Sequence, residues 1–278
     1  MKKYFLIFML ILSMILAACG GSGTDSSGSD AGTSTIEKVK KNKKLVIGTA
    51  PGYAPFEMTD LKGKYVGYDI DTAKAIAKAL GVEVEFKEYS FDGLIAALQV
   101  GEIDMIISGM TITGPRALSV SFANPYYKTK QVALVPSSDT TTKEWTDLDK
   151  KGNKIATVIG TTGQLITKNT FKHAEVKDYK EMPAAALAMI SGQIDGVVYD
   201  ESSVRIWSKE NGKSRIIDNQ ISAENLGIAV KHNDLKTVQW LNSFLYSYID
   251  GPDELKSRKY WFENDEWYKD INNKVAAE

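Results

Sequence analysis

The chain has 278 residues, with 34 lysines and arginines against 35 aspartates and glutamates, for a net charge of −1. That balance excludes the broad basic surface a nucleic-acid partner requires. One cysteine and two histidines exclude a disulfide framework and a cysteine-rich metal site, and 43% hydrophobic residues suit one large or two medium globular domains.

Residues 1–19 read as an export signal. Lys2 and Lys3 precede an apolar stretch, Tyr4 to Leu16, that is too short to span a membrane comfortably. Leu16-Ala17-Ala18-Cys19 resembles the bacterial lipobox, in which the cysteine receives fatty-acyl (palmitate) lipid and becomes the first mature residue. The alternative is a plain secretory signal with an incidental cysteine, but the sole cysteine falls where the motif needs it. Residues 20–35, rich in Gly, Ser, Thr and Asp, have no apolar pattern and read as a flexible tether. Such a tether spans roughly 20–25 Å. The expected location is outside the cytoplasm, at the membrane surface, held by the lipid on Cys19.

The globular body is expected from Ile36. Leu45-Val46-Ile47-Gly48 reads as a buried strand, followed by a loop through Pro51, Gly52, Tyr53, Pro55 and Phe56. Tyr53 suits the rim of a crevice at a strand end, while Phe56 fits core and crevice equally well. Asp69 and Asp71 open a helix as favourable charges for its dipole, with Ile70, Ala73, Ala77 and Leu80 on one face and Gly81 as its stop. Val82 to Phe86 alternates as a strand, and Phe91-Asp92-Gly93 opens a further helix through Leu98. Strands alternating with helices predict an α/β architecture with largely parallel sheets.

Met105-Ile106-Ile107 reads as a buried strand leading into Ser108-Gly109-Met110-Thr111-Ile112-Thr113-Gly114-Pro115-Arg116-Ala117. This segment offers small residues and hydroxyls at a strand end, and Arg116 adds a planar fork of donors suited to a carboxylate. The plan then repeats. Lys154 to Ile159 reads as a strand, Gly160-Thr161-Thr162-Gly163 as a tight loop before a helix from Gln164, and Pro183 to Ile190 as a helix. The loop lacks the Gly-Lys-Ser/Thr ending of a nucleotide-binding P-loop. Gly192-Gln193-Ile194-Asp195 leading to Tyr199-Asp200 parallels Gly101-Glu102-Ile103-Asp104 leading to Ser108-Gly109. Two lobes facing each other would then place Ser108-Gly109 and Tyr199-Asp200 on opposite walls of a cleft. Ile216-Ile217 and Leu226 to Val230 read as short strands, and Val238 to Ile249 as an amphipathic helix. Trp261, Phe262, Trp267 and Tyr268 read as packing. His173 and His232 lie in polar or turn contexts that suit surface roles.

Several of these pieces occur together in one family. Ala54-Pro55-Phe56-Glu57, Val66-Gly67-Tyr68-Asp69-Ile70-Asp71, Ser108 to Thr113 with Arg116, Phe122 to Tyr127, Gly160 to Gly163 and Val198-Tyr199-Asp200 follow in that order behind a lipobox. In this the chain resembles the extracellular solute-binding proteins of ABC importers, in the polar-amino-acid family (family 3). The resemblance implies an α/β, two-lobed type II periplasmic-binding-protein fold with a ligand cleft and a two-strand hinge. It places a large lobe at 36–127 and 226–278 and a small lobe at 128–225, with crossings near Tyr126–Lys130 and Ala223–Leu226. It implies a ligand carboxylate at Arg116, Thr111, Thr162 and Gly163. The ammonium would lie at Asp200, the Gly109 carbonyl and Thr111, and Tyr53 and Phe91 would enclose the side chain. Met110 and Tyr199 complete the expected site. No cofactor and no metal are implied. The expected partners are a free amino acid, the ABC permease with its ATPase and the membrane through the lipid anchor, with the protein a monomer.

Two alternatives belong to other classes: an enzyme on the same fold, such as a dehydratase, and a sensor module that signals through a neighbour. An enzyme would need an extra acid or base directed into the cleft, and Glu57 and Glu201 are the nearest in sequence. In the family, many relatives carry an acid where this chain has Ala50, and some glutamine binders a lysine where it has Ile159, both helping to read the side chain. A wall of Tyr53, Phe91, Ile159 and Tyr199 therefore predicts an uncharged ligand side chain, unless Glu57 turns inward to receive a cation.

Overall fold

The computed structural model describes residues 33–271. The export signal with Cys19, and the expected tether up to residue 32, lie outside the described residues. The body starts earlier than the apolar pattern suggests. Helix α1 (Thr35–Asn42) is preceded by Ser34, whose N–H donates to Glu37 Oε2 at 3.1 Å. The Thr35 and Ile36 amides donate to Asp234 Oδ2 and Thr237 Oγ1, at 2.7 and 3.2 Å. Ser34 and Thr35 therefore belong to the folded body rather than the tether. Their polarity serves a helix start, which a search for apolar periodicity overlooks.

The first half of the chain runs β1 (Lys44–Thr49), β2 (Met58–Thr59), β3 (Tyr65–Val66), α2 (Tyr68–Leu80), β4 (Glu83–Glu88), α3 (Leu94–Gln99), β5 (Met105–Ile106), α4 (Gly114–Ala117) and β6 (Val120–Phe122). The second runs β7 (Tyr127–Pro136), β8 (Lys154–Val158), α5 (Thr162–Thr170), β9 (Glu175–Tyr179), α6 (Met182–Ile190), β10 (Gly196–Asp200), α7 (Glu201–Asn211) and β11 (Ser214–Leu226). β12 (Ala229–Lys231), α8 (Leu235–Tyr248) and α9 (Pro252–Arg258) then return to the first sheet. The α2 face works as its spacing requires: Ile70, Ala73, Ala77 and Leu80 are all buried, and Gly81 ends the helix in a left-handed conformation. Helix α5 begins at Thr162, capped by Thr161, whose hydroxyl accepts from the Gln164 amide at 3.2 Å. Thr162 and Gly163 are thus helical residues rather than loop.

Two five-stranded sheets result, ordered β4-β1-β5-β12-β6 and β11-β7-β10-β8-β9. In each, the crossover strands pair in parallel: β1 with β4 and β5, and β8 with β9 and β10. The remaining pairings, by β12 and by β7, are antiparallel, so the sheets are mixed rather than largely parallel. Strands that arrive without a helical crossover are free to run the other way. The two segments that match in sequence, β5 and β10, are the central strands of their sheets. This is the two-lobed α/β type II binding-protein fold. The chain passes between the sheets along β7 and β11, which pair antiparallel from Tyr127 opposite Leu226 to Pro136 opposite Ser214, with a register shift between Ile217 and Ser222. Leu226 also bridges to Thr111, and the Gly227 amide donates to the Met110 carbonyl at 2.9 Å. The carboxyl ends of β5 and β10 therefore meet beside the crossing strands.

Candidate functional site

The first wall is built on the ends of β1 and β5. Ser108 Oγ accepts from the Ala50 amide at 3.0 Å and donates to Glu57 Oε1 at 2.7 Å. The Gly109 amide donates to Asp69 Oδ2 at 2.7 Å, and the same oxygen accepts from the Tyr126 hydroxyl at 2.8 Å. Gly109 is left-handed, and a Cβ there would lie 2.1 Å from Tyr53 Cε1. Only glycine lets the backbone lie this close under the ring. Tyr53 is buried, stacked on Phe56 with centroids 4.6 Å apart and edge-on to Tyr199 at 5.6 Å.

Glu57 and Asp69 are 1% and 0% exposed. Burial raises both carboxyl pKa values; Glu57 rises furthest because the Asp69 charge faces it, while Tyr126 and the Gly109 amide favour the Asp69 carboxylate. Two adjacent buried carboxyls cannot both ionise cheaply, so Glu57 keeps the proton. Asp69 is more than the exposed helix-start charge its position suggests: its carboxylate holds the floor of the site. Glu57 does turn inward, but in the neutral state.

The second wall comes from β10 and the loop into α5. Asp200 ends β10 and is buried; among the described residues neither its Oδ1 nor the Tyr53 hydroxyl has a hydrogen-bond partner. Burial, then the charge of Glu224, pushes the Asp200 carboxyl up to about 7, against the opposing pull of Gln131, Tyr53 and Arg116. Thr162 Oγ1 donates to Glu224 Oε2 at 3.0 Å.

Arg116 joins the walls. Thr113 caps α4 by accepting from the Arg116 amide at 3.3 Å, which fixes where the side chain starts. Nη1 donates to the Thr111 carbonyl at 2.8 Å and Nη2 to the Gly160 carbonyl, across the cleft, at 2.9 Å. The guanidinium carbon lies 5.3 Å from the centre of the Phe91 ring. Burial lowers its pKa, while the charges of Glu224 and Asp200 oppose that shift.

A cavity of about 270 Å³ gathers Tyr53, Phe91, Gly109, Thr111, Arg116, Thr162, Tyr199 and Asp200 from the expected set. Met110 and Gly163 are not on its wall. Met110 is 1% exposed and packs with Leu94, Leu98 and Ile106, on the core side of the turn that Gly109 makes. Gly163 lies inside the first turn of α5, where a Cβ would sit 2.7 Å from Gln131 Oε1. Ile159 is likewise replaced on the wall by Val158, the one-residue shift that moves a side chain to the opposite face.

The wall is also less apolar than expected. Glu88, at the end of β4, and Glu181, just before α6, line it together with Lys180. Glu181 is half-buried, and its pKa is raised by burial and by the Glu88 charge. Among the described residues neither carboxylate has a salt-bridge partner. Glu88 was legible in principle, since ligand crevices form at carboxyl ends of strands, but the alternation of Glu83, Glu85 and Phe86 reads as an ordinary edge strand. The premise for an uncharged ligand side chain therefore fails. His173 sits on the surface with Nδ1 3.1 Å from Asp149 Oδ2, and His232 is exposed.

Two α/β lobes that bring Arg116 and Asp200 to one cavity beside their central strand ends define a binding protein for a small polar ligand. Residues 45–264 match the model of the bacterial extracellular solute-binding proteins, family 3, and the chain belongs to that family. It is 34% identical to the ABC transporter arginine-binding protein 1 of Escherichia coli K12, over 79% of this chain and 91% of the relative. It is 32% identical to the ABC transporter glutamine-binding protein GlnH of Bacillus subtilis 168, over 88% and 92%. Among solved structures, the ancestral amino acid-binding protein AncCDT-1, a precursor of cyclohexadienyl dehydratase, superposes with a TM-score of 0.78 at 34% identity, covering 82% of this chain and all of that one.

Proposed function

We propose that this protein captures a free amino acid with a cationic side chain outside the cytoplasm and delivers it to an ABC permease and its ATPase. The observation that carries the reading is one cavity lined by Arg116, by Asp200 with its unpartnered Oδ1, and by the salt-bridge-free carboxylates Glu88 and Glu181. The ligand carboxylate meets Arg116, Thr111 and the first amides of α5, which as helix-start donors favour an anion. The ammonium meets Asp200 and the Gly109 carbonyl, Tyr53 and Phe91 flank the side chain, and its cation lies between Glu88 and Glu181. The arginine-binding relative supports this class.

The large lobe comprises 36–127 and 226–278 and the small lobe 128–225, hinged where β7 and β11 cross. Closure is a population shift paid by contacts the ligand makes with both lobes. Lipid on Cys19 and the tether that follows hold a monomeric body at the outer face of the membrane.

Calorimetry on refolded protein with arginine, lysine, histidine, glutamine, cystine, methionine and glutamate tests the ligand class. The expected result is tightest binding of a cationic amino acid, weakened at least tenfold in Glu181→Gln. Tight glutamine or methionine binding with no response to arginine, lysine or histidine would overturn the assignment.

A further inference from the structure

A second chamber of about 210 Å³ adjoins the ligand cavity, and the two share Pro51, Gly52, Glu88, Glu181 and Met182. The partition between them is thin. Gly52 has φ +116°, and a Cβ on it would lie 2.8 Å from Glu181 Oε2, so a bare backbone faces the end of one flexible side chain. Among the described residues the Glu88 carboxylate accepts only from the Tyr65 hydroxyl, at 3.0 Å. The chamber's remaining wall is chiefly apolar, with Met58, Ile206, Trp207 and Ile271. It also includes Ser203, whose buried hydroxyl, like Trp207 Nε1, has no hydrogen-bond partner among the described residues.

We propose that the ligand site continues past Glu88 and Glu181 into this chamber, so that the protein accepts α-amino acids whose cationic side chain carries a further alkyl substituent, such as Nω-alkylated arginines. The inference rests on the proposed placement of the amino-acid head in the first cavity. Two carboxylates on the shared wall that have no salt-bridge partner among the described residues suit a cation at the passage, and an alkyl group beyond that cation meets methionine, isoleucine and tryptophan side chains. Glu181 can rotate aside because it is held by no ion pair. A site that ended at the two carboxylates would meet the same substituent with a wall.

The test is titration calorimetry with L-arginine and Nω-propyl-L-arginine on the wild-type protein, Thr59→Trp and Ile206→Trp. Thr59 and Ile206 line the second chamber and not the first, and both are only partly buried, so either variant fills the chamber if the other fails to fold. Each methylene buried adds about fourfold in affinity, so the propyl analogue is expected to bind at least as tightly as arginine. The filling variants are expected to weaken the analogue at least tenfold and leave arginine within threefold. A wild-type loss of a hundredfold or more on propylation, or filling variants that affect both ligands alike, would overturn the extended site while leaving arginine binding in place. Failure of the underlying reading looks different: arginine itself would not bind, or would bind as tightly to Asp200→Ala, and the extended site would fall with it.

Discussion

Asp69, buried in the core, accepts from the backbone amide of Gly109 at 2.7 Å and so helps to set the position of the segment that follows β5. The same carboxylate accepts from Tyr126 at 2.8 Å, immediately before β7 carries the chain into the second sheet. One buried charge thus ties the floor of the cleft to the start of a crossing strand. Its partner Glu57 supplies the proton that makes two adjacent buried carboxyls tolerable.

This pair predicts an asymmetry. Glu57→Gln replaces a neutral acid by a neutral amide and is expected to change stability by less than about 1 kcal/mol. Asp69→Asn removes a charged acceptor from two buried donors and is expected to cost about 2–3 kcal/mol, with weaker ligand binding as Gly109 shifts. Urea unfolding of both variants checks this. Equal costs would show that the proton does not reside on Glu57.

Asp200 predicts a pH dependence. Its pKa in the ligand-free protein is pushed up to about 7 by burial, whereas an unfolded aspartate titrates near ~3.9. The folded state therefore binds the proton more tightly, and the contribution of Asp200 to stability falls as pH rises from about 4 to about 7. Amino-acid binding needs the carboxylate, so affinity is expected to weaken about tenfold per pH unit below 7, with a proton released on binding. Calorimetry in buffers of differing ionisation enthalpy measures that proton. A release unchanged in Asp200→Asn would assign it elsewhere.

Arg116 predicts a defect in both binding and conformation. Removing one member of a desolvated charge pair costs about 2–5 kcal/mol, roughly 30- to several-thousand-fold in affinity. Arg116→Ala is expected to fall in that range. Arg116→Lys is expected to be poor too, since an ammonium cannot make the parallel fork. Because Nη2 reaches Gly160 across the cleft, small-angle scattering of ligand-free Arg116→Ala should show a larger radius than the wild type. Near-native affinity in the alanine variant would move the ligand carboxylate to another group.

Cys19 predicts the anchor. In cells fed labelled palmitate, Cys19→Ala is expected to lose the label and to leave the detergent phase on partitioning. Label retained by the variant would remove the lipoprotein assignment.

Sequence by itself determined the parts that depend on neighbours along the chain. The α2 stripe of Ile70, Ala73, Ala77 and Leu80 follows from helical spacing, and the correspondence of β5 with β10 from matched local order. Ser108 to Arg116 and Tyr199-Asp200 were legible as strand-end polar segments within a family pattern. Tertiary structure alone decided which charges converge. Glu88 and Glu181 are 93 positions apart and no local pattern singles out either; the pairing of β1 with β4 and of β8 with β9 brings both to one cavity. Asp69 reads as a helix-start charge until Gly109 and Tyr126 close on it. Met110 and Ile159 each stand one position from a residue on the wall, Met110 in the core and Ile159 partly buried outside the cavity. Local periodicity carries the face of an element, but the partners of a buried charge come from segments that only the packed fold brings together.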